Sequence, residues 1–90
     1  MKKFHANVLV SLRSSVLDPA GEATRSAAMR LGVDGIKRLR IGKSVILEIE
    51  APDEFEARRR VELLCDRLLA NPVIEDWVLD ISPVHSTEIT

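Results

Sequence analysis

An α+β domain, with two helices on one face of a four-stranded antiparallel sheet, is the fold that three features of this sequence predict. Four short stretches alternate apolar and polar residues at the period of a half-buried strand. Two longer stretches repeat at helical spacing behind recognisable N-terminal caps. The elements follow one another as strand, helix, strand, and then again strand, helix, strand, in halves of about 40 residues, which is the ferredoxin-like order.

The first strand rests on Phe4, Ala6, Val8, Val10 and Leu12, which alternate with His5, Asn7 and Ser11. Asp18 is placed to cap a helix whose first residue is Pro19, where a missing N–H costs nothing. Ala20, Ala23, Ala27, Ala28 and Leu31 then form a small-residue face suited to lying close to a sheet, and Gly32 ends the helix. Leu39 and Ile41 alternate with Arg38 and Arg40, and Val45, Leu47 and Ile49 alternate with Ser44, Glu48 and Glu50. These two runs predict a hairpin across Gly42 and Lys43, with an odd-length or bulged turn to match the apolar faces.

Asp53 and Glu56 have the spacing of a capping box, and Ala57, Val61, Leu64, Cys65 and Leu68 mark the core face of the second helix. On its other face Glu54 with Arg58, and Glu56 with Arg60, are i to i+4 pairs in the favourable order. Pro72 stops this helix near Ala70. Trp77, Leu79 and Ile81 define the last strand, so residues 1–82 read as one domain and 83–90 as a polar tail. In this topology strands one and three are central and strand two, with Lys37, Arg38 and Arg40, is an edge. Leu9, Ile46 and Val78 interrupt the polar side of the sheet, which makes that side a self-association face.

With 90 residues the chain can bury one core but cannot combine two substrate pockets with a separate catalytic apparatus. Thirteen basic against 14 acidic residues leave no field for nucleic acid, and three aromatics supply no stacking platform. No apolar run reaches the length of a membrane span or of a signal sequence, and one cysteine cannot close an internal disulfide. These features predict a soluble cytoplasmic chain that binds neither membrane nor nucleic acid.

No catalytic constellation stands out. His5 points outward on the first strand, His85 lies in the tail, and neither has a second ligand at metal spacing. Cys65 falls on the apolar helix face, where a thiol acts as a small hydrophobe. An iron–sulfur cluster would need several thiolates. The loop "RSSVLD" after strand one has no glycine to cradle phosphate as an acylphosphatase does, although Arg13 and Ser14 could meet an anion. The run Arg58, Arg59 and Arg60 is flanked by Glu54, Glu56 and Glu62 and reads as a solvated face.

Three stretches carry a resemblance: "VLDPAGEA" at 16–23, "RIGK" at 40–43 and "LLANPVIEDW" at 68–77. In this order they resemble the PurS family, small subunits of phosphoribosylformylglycinamidine synthase. The resemblance implies a chain with no catalytic residue of its own, working as a homo-oligomer, dimer or tetramer. It implies a role between a glutaminase subunit and a large synthetase subunit, where it helps ammonia pass as formylglycinamide ribonucleotide becomes the formylglycinamidine. It further implies no cofactor on this chain, with ATP and magnesium used by the synthetase.

Carried over by motif, Leu17, Asp18, Pro19 and Gly21 shape the start of the first helix, Arg40, Gly42 and Lys43 the hairpin, and Asn71, Pro72, Val73, Ile74 and Glu75 a signature loop. These are the candidate dimer or partner residues. The family often has glycine where Ser15 stands, and tyrosine or phenylalanine where Trp77 stands. Periodicity accounts for Leu68 and Trp77 but not for the acids of "VIED", so the expectation is a buried Ile74 and a Glu75 held in a hydrogen bond or salt bridge, within a dimer or to a large subunit. The competing reading is a ferredoxin-like regulatory domain that binds a metabolite at a dimer interface.

Overall fold

The computed structural model describes residues 1–84 and forms β1 (Lys2–Leu12), α1 (Pro19–Arg30), β2 (Lys43–Ala51), α2 (Glu54–Leu64) and β3 (Glu75–Pro83). The expected polar tail falls almost wholly on residues 85–90, His85 included, outside the described residues. The strands make one antiparallel sheet in the order β2-β1-β3. β1 is central, as expected, whereas β2, the third of the expected strands, is an edge and not central: Val8 pairs with Val45 on one side and Leu79 on the other. One face of the sheet therefore collects Phe4, Ala6, Val8 and Val10, none more than 3% exposed, with Ala51 and Ile81 beside them. Ala57, Val61 and Cys65 of α2 close over this row with no exposed surface.

The architecture is α+β with a three-stranded antiparallel sheet, and the expected fourth strand is not formed within the chain. Residues 33–42 run without strand pairing into β2, and no hairpin turns at Gly42 and Lys43. Positive backbone φ occurs at Gly32 and Gly35 and not at Gly42, so the tight primed turn of a two-residue hairpin is absent. Gly42 instead meets the end of β1, where an added Cβ would lie 2.7 Å from the Val10 carbonyl oxygen.

α1 begins as expected. Asp18 accepts a hydrogen bond from the Gly21 N–H at 3.0 Å, Pro19 takes the first turn, and after Leu31 the Val33 N–H returns to the Ala28 carbonyl. Its alanine face does not lie on the sheet, however. Ala20, Ala23 and Leu31 are exposed, and α1 makes no extensive contact with any strand or with α2. Local caps suffice to start and stop a helix, but nothing local decides which surface it meets.

The second helix departs from expectation in its last turn. A π-type turn over Cys65–Leu69 carries the Ala70 N–H back to the Cys65 carbonyl, one residue further than an α-turn would. The wider turn rotates the later residues, so Leu69 and Ala70 face the core while Leu68 is 74% exposed; Leu64, expected on the core face, precedes the turn and is 37% exposed. The capping box is half formed: Asp53 accepts from the Glu56 N–H at 2.8 Å, but the Glu56 carboxylate turns to Arg59 and Arg60. Of the two expected i to i+4 pairs, Glu56 with Arg60 is present and Glu54 with Arg58 is not.

Two expectations follow. Leu69→Ala lowers stability by about 1–2 kcal/mol and Leu68→Ala by less than about 0.5, read from denaturant midpoints; the reverse order would place the helix back in α geometry. The two arginines beside Glu56 hold its carboxyl down from an ordinary 4.5 to about 2. A carboxyl depressed in the folded state stabilises fully above its unfolded value and loses that contribution as pH falls from 4.5 towards 2. Glu56→Gln accordingly flattens the pH dependence of the denaturation midpoint in that window.

Candidate functional site

The three sequence motifs, far apart in the chain, meet at the loop that follows β1. Asp18 is the first anchor and is only 8% exposed. One carboxylate oxygen accepts the Gly21 N–H and the other the Ile41 N–H at 2.8 Å, so "VLDPAGEA" and "RIGK" are joined through one side chain. The Ile41 bond first, and then the Gly21 bond, keep this carboxyl below the usual range, against the opposing effect of its burial. Gly21 is required here for close approach, since a Cβ would drive into the Leu39 carbonyl oxygen. Arg40 and Arg38 complete the joint by donating to the Arg13 carbonyl at 2.8 Å and the Ser14 carbonyl at 2.7 Å.

Arg13 is the second anchor and links this joint to the third motif. Its guanidinium donates to the carbonyls of Pro72 at 2.7 Å and Val73 at 3.1 Å and meets the Asp76 carboxylate at 3.2 Å. Its backbone N–H reaches the Ile74 carbonyl at 2.9 Å. A planar guanidinium spreads its donors over a rigid fork wide enough to reach three separate acceptors, whereas an ammonium offers its three donors from a single point. Nothing in the local periodicity marks Arg13 for this position. The one hint is an arginine set directly at the end of the central strand, where the loop has no glycine to shape it.

Within the signature loop Asn71 and Glu75 hold each other. The Asn71 side chain accepts from the Val73 N–H at 3.0 Å, its carbonyl accepts from the Glu75 N–H at 2.8 Å, and its own N–H donates to the Glu75 carboxylate at 2.6 Å. Glu75 is thus held in a hydrogen bond, and the partner is its own chain. Glu75 and Asp76 also belong to β3, opposite Leu12 and Ser11, and do not lie outside the strand. Ile74 is half-buried where full burial was expected, and Val73 is 75% exposed.

A cleft of about 380 Å³ opens beside the junction, lined by Arg13, Cys65, Asp66, Pro72, Asp76 and Trp77. The Trp77 indole N–H donates to Asp66 across it at 3.1 Å. Burial, and then the neighbouring Asp66 and Glu62, raise the Cys65 thiol, which keeps it protonated and a weak nucleophile. Among the described residues no group of three or more His, Cys, Asp or Glu is placed to hold a metal ion. On the opposite face of the sheet Leu9, Ile46 and Val78 are 54%, 66% and 66% exposed. Leu9 pairs directly with Val78, and Ile46 lies across from Asn7, so the three form one patch.

A family model described as PurS, phosphoribosylformylglycinamidine (FGAM) synthase, matches residues 5–83. The chain belongs to the PurS family. The PurS subunit of phosphoribosylformylglycinamidine synthase from Synechocystis is 48% identical over 82 residues, covering 91% of this chain and 82% of that one. The corresponding subunit from Archaeoglobus fulgidus is 40% identical, covering 80% and 90%. Among solved structures, a chain of PurLQS from Thermotoga maritima superposes with a TM-score of 0.82 at 34% identity, covering 93% of this PurS chain and all of its own.

In this PurS chain Arg13→Met removes the clamp on the signature loop, with an expected loss of about 1–2 kcal/mol and faster amide exchange at Val73 and Glu75. Arg13→Lys recovers only part of the protection. Unchanged exchange in Arg13→Met would show that Asn71 and Glu75 hold the loop without help.

Proposed function

We propose that this PurS subunit of phosphoribosylformylglycinamidine synthase, an enzyme of purine biosynthesis, joins a glutaminase subunit to a large synthetase subunit and assists ammonia transfer between them. On this reading the chain works in the cytoplasm, has no catalytic residue and binds no cofactor. ATP and magnesium act on the synthetase. The observation that carries the proposal is that the polar motif residues hold one another and not a reactive group. Asp18, Arg40, Asn71 and Glu75 are all engaged with backbone of their own chain.

That engagement leaves a different set free for partners. Leu17 is 83% exposed and Val73 75% exposed, and Pro19 and Lys43 are also exposed. An apolar residue raised on a tightly pinned loop costs little entropy to bury again, which suits a docking surface. The superposition on a chain of the Thermotoga maritima PurLQS structure supports an assembly role. Leu9, Ile46 and Val78 provide a self-association face on the other side of the sheet, and a fourth strand of ferredoxin-like order belongs to the assembled form.

Retention of the two larger subunits on immobilised PurS, with glutamine and ADP present, tests this reading. Val73→Asp is expected to weaken retention at least tenfold with an unchanged melting temperature, whereas Glu75→Ala lowers both. If neither subunit is retained by the unaltered chain under any ligand condition, the assembly role fails and a metabolite-binding regulatory domain becomes the better account.

A further inference from the structure

The cleft beside the motif junction carries charge that the fold itself does not use. Its walls hold three carboxylates, Asp66, Glu75 and Asp76, against one cation, Arg13, and the neighbouring Arg67 is not part of the lining. The Arg13 guanidinium is already engaged with the Pro72 and Val73 carbonyls and with one oxygen of Asp76. Asp66 and Glu75 each accept from one donor of their own chain, the Trp77 indole N–H and the Asn71 N–H. Among the described residues, the second oxygen of each of these three carboxylates meets no donor. The Cys65 thiol at the floor, raised first by burial and then by Asp66 and Glu62, reads the same negative field.

The walls also narrow the kind of cation. Among the described residues no three His, Cys, Asp or Glu groups converge closely enough to hold a metal ion, so these carboxylates do not share one compact point charge. A planar cation with spaced donors can reach them. Trp77 supplies an aromatic wall, and its bond to Asp66 sets a carboxylate at the edge of the indole. An indole face is the strongest side-chain surface for a guanidinium, and a carboxylate beside it gives the same group an acceptor. The volume, about 380 Å³, lies near the small end of ligand pockets and suits one inserted side chain. The rim favours a protein over a free small cation. Leu68 and Val73, which bracket the lining residues Ala70 and Pro72 in sequence, are both strongly exposed, and only a protein surface would cover them. Trp77 packs on the helix side of the sheet and Val78 faces the other side, so an occupant here does not compete with contact through Leu9, Ile46 and Val78.

We propose that this cleft receives an arginine side chain from one of the larger subunits, its guanidinium stacked on the Trp77 indole and hydrogen-bonded to Asp66 and Asp76. The proposal rests on the assembly role above and names the anchor of that contact. Arg13 then has two effects: it pins the loop that forms one wall, and it orients the Asp76 carboxylate by holding one oxygen and leaving the other for the incoming donor. A buried arginine between an aromatic face and carboxylates, ringed by apolar residues, has the composition of an interface hot spot.

Trp77 is the one tryptophan of the chain, so its fluorescence reads the cleft directly. Titrated with N-acetyl-arginine amide at constant ionic strength, it is expected to change along a saturating curve, and N-acetyl-norleucine amide is expected to give none. Asp66→Asn keeps an acceptor for the indole N–H but removes the charge, and is expected to weaken the curve at least about tenfold. No saturating response, an equal response to the norleucine compound, or an unchanged curve in Asp66→Asn overturns the proposal. The second measurement is retention of the larger subunits on the immobilised chain with glutamine and ADP present. Asp66→Asn is expected to retain at least about tenfold less of one of them at an unchanged melting temperature. Full retention by Asp66→Asn overturns the proposal and leaves the assembly role standing. No retention by the unaltered chain removes the assembly role, and the subunit anchored in the cleft with it.

Discussion

The backbone around Arg13 is the constraint through which the separate motifs become one structure. Its carbonyl receives Arg40 from the extended segment 33–42, its N–H reaches Ile74, and its guanidinium spans the carbonyls of Pro72 and Val73 to end on Asp76. Because Arg13 directly follows the central strand, these bonds tie both distant motifs to the most buried element of the sheet. Each bond is partly exposed and modest by itself, but together they fix a loop whose own sequence favours no regular structure. Asp18 does the same for α1 and the segment 33–42, and its two backbone partners explain why a carboxylate can be buried there with no cation in direct contact.

A junction built in this way is rigid where it is polar and available where it is apolar. Val73 and Leu17 project from backbone that is already ordered, so contact with another protein need not order it again. This inverts the usual appearance of a catalytic site, in which polar groups converge on open space. Here they converge on peptide groups, and the protonated Cys65 beneath the cleft is part of the core. Membership of the PurS family, subunits of phosphoribosylformylglycinamidine synthase, and motif residues that hold backbone fit one physical picture of a pre-ordered loop junction.

Several features were legible in the sequence because their causes are local. Alternation placed β1, β2 and β3, and Asp18, Asp53 and Pro72 marked helix ends through hydrogen bonds made within a few residues. Glu75 was legible as a held residue because periodicity left it without a role. Leu68 was assigned to the core because an α-helical period was extended through a segment that widens into a π-turn, and that one-residue shift turned Leu69 and Ala70 inward in its place. The hairpin was inferred from two alternating runs, which show that each can be a strand but not that they pair with each other. Arg13 was read only as a contact for an anion, because its acceptors are carbonyls some 59 and 60 residues away, which carry no side-chain signature.

The amino-acid sequence by itself determined two helices and three of the four expected strands, the apolar face of the sheet, the caps and the family, since all of these depend on residue identity and short-range order. Only the tertiary structure decided that α1 stands off the sheet, that residues 33–42 extend without pairing, and that three motifs close on Arg13 and Asp18. The physical reason is one of range. Hydrophobic burial fixes which residues seek cover but is non-directional, whereas the choice of covering surface is made by backbone hydrogen bonds between segments that the sequence keeps far apart.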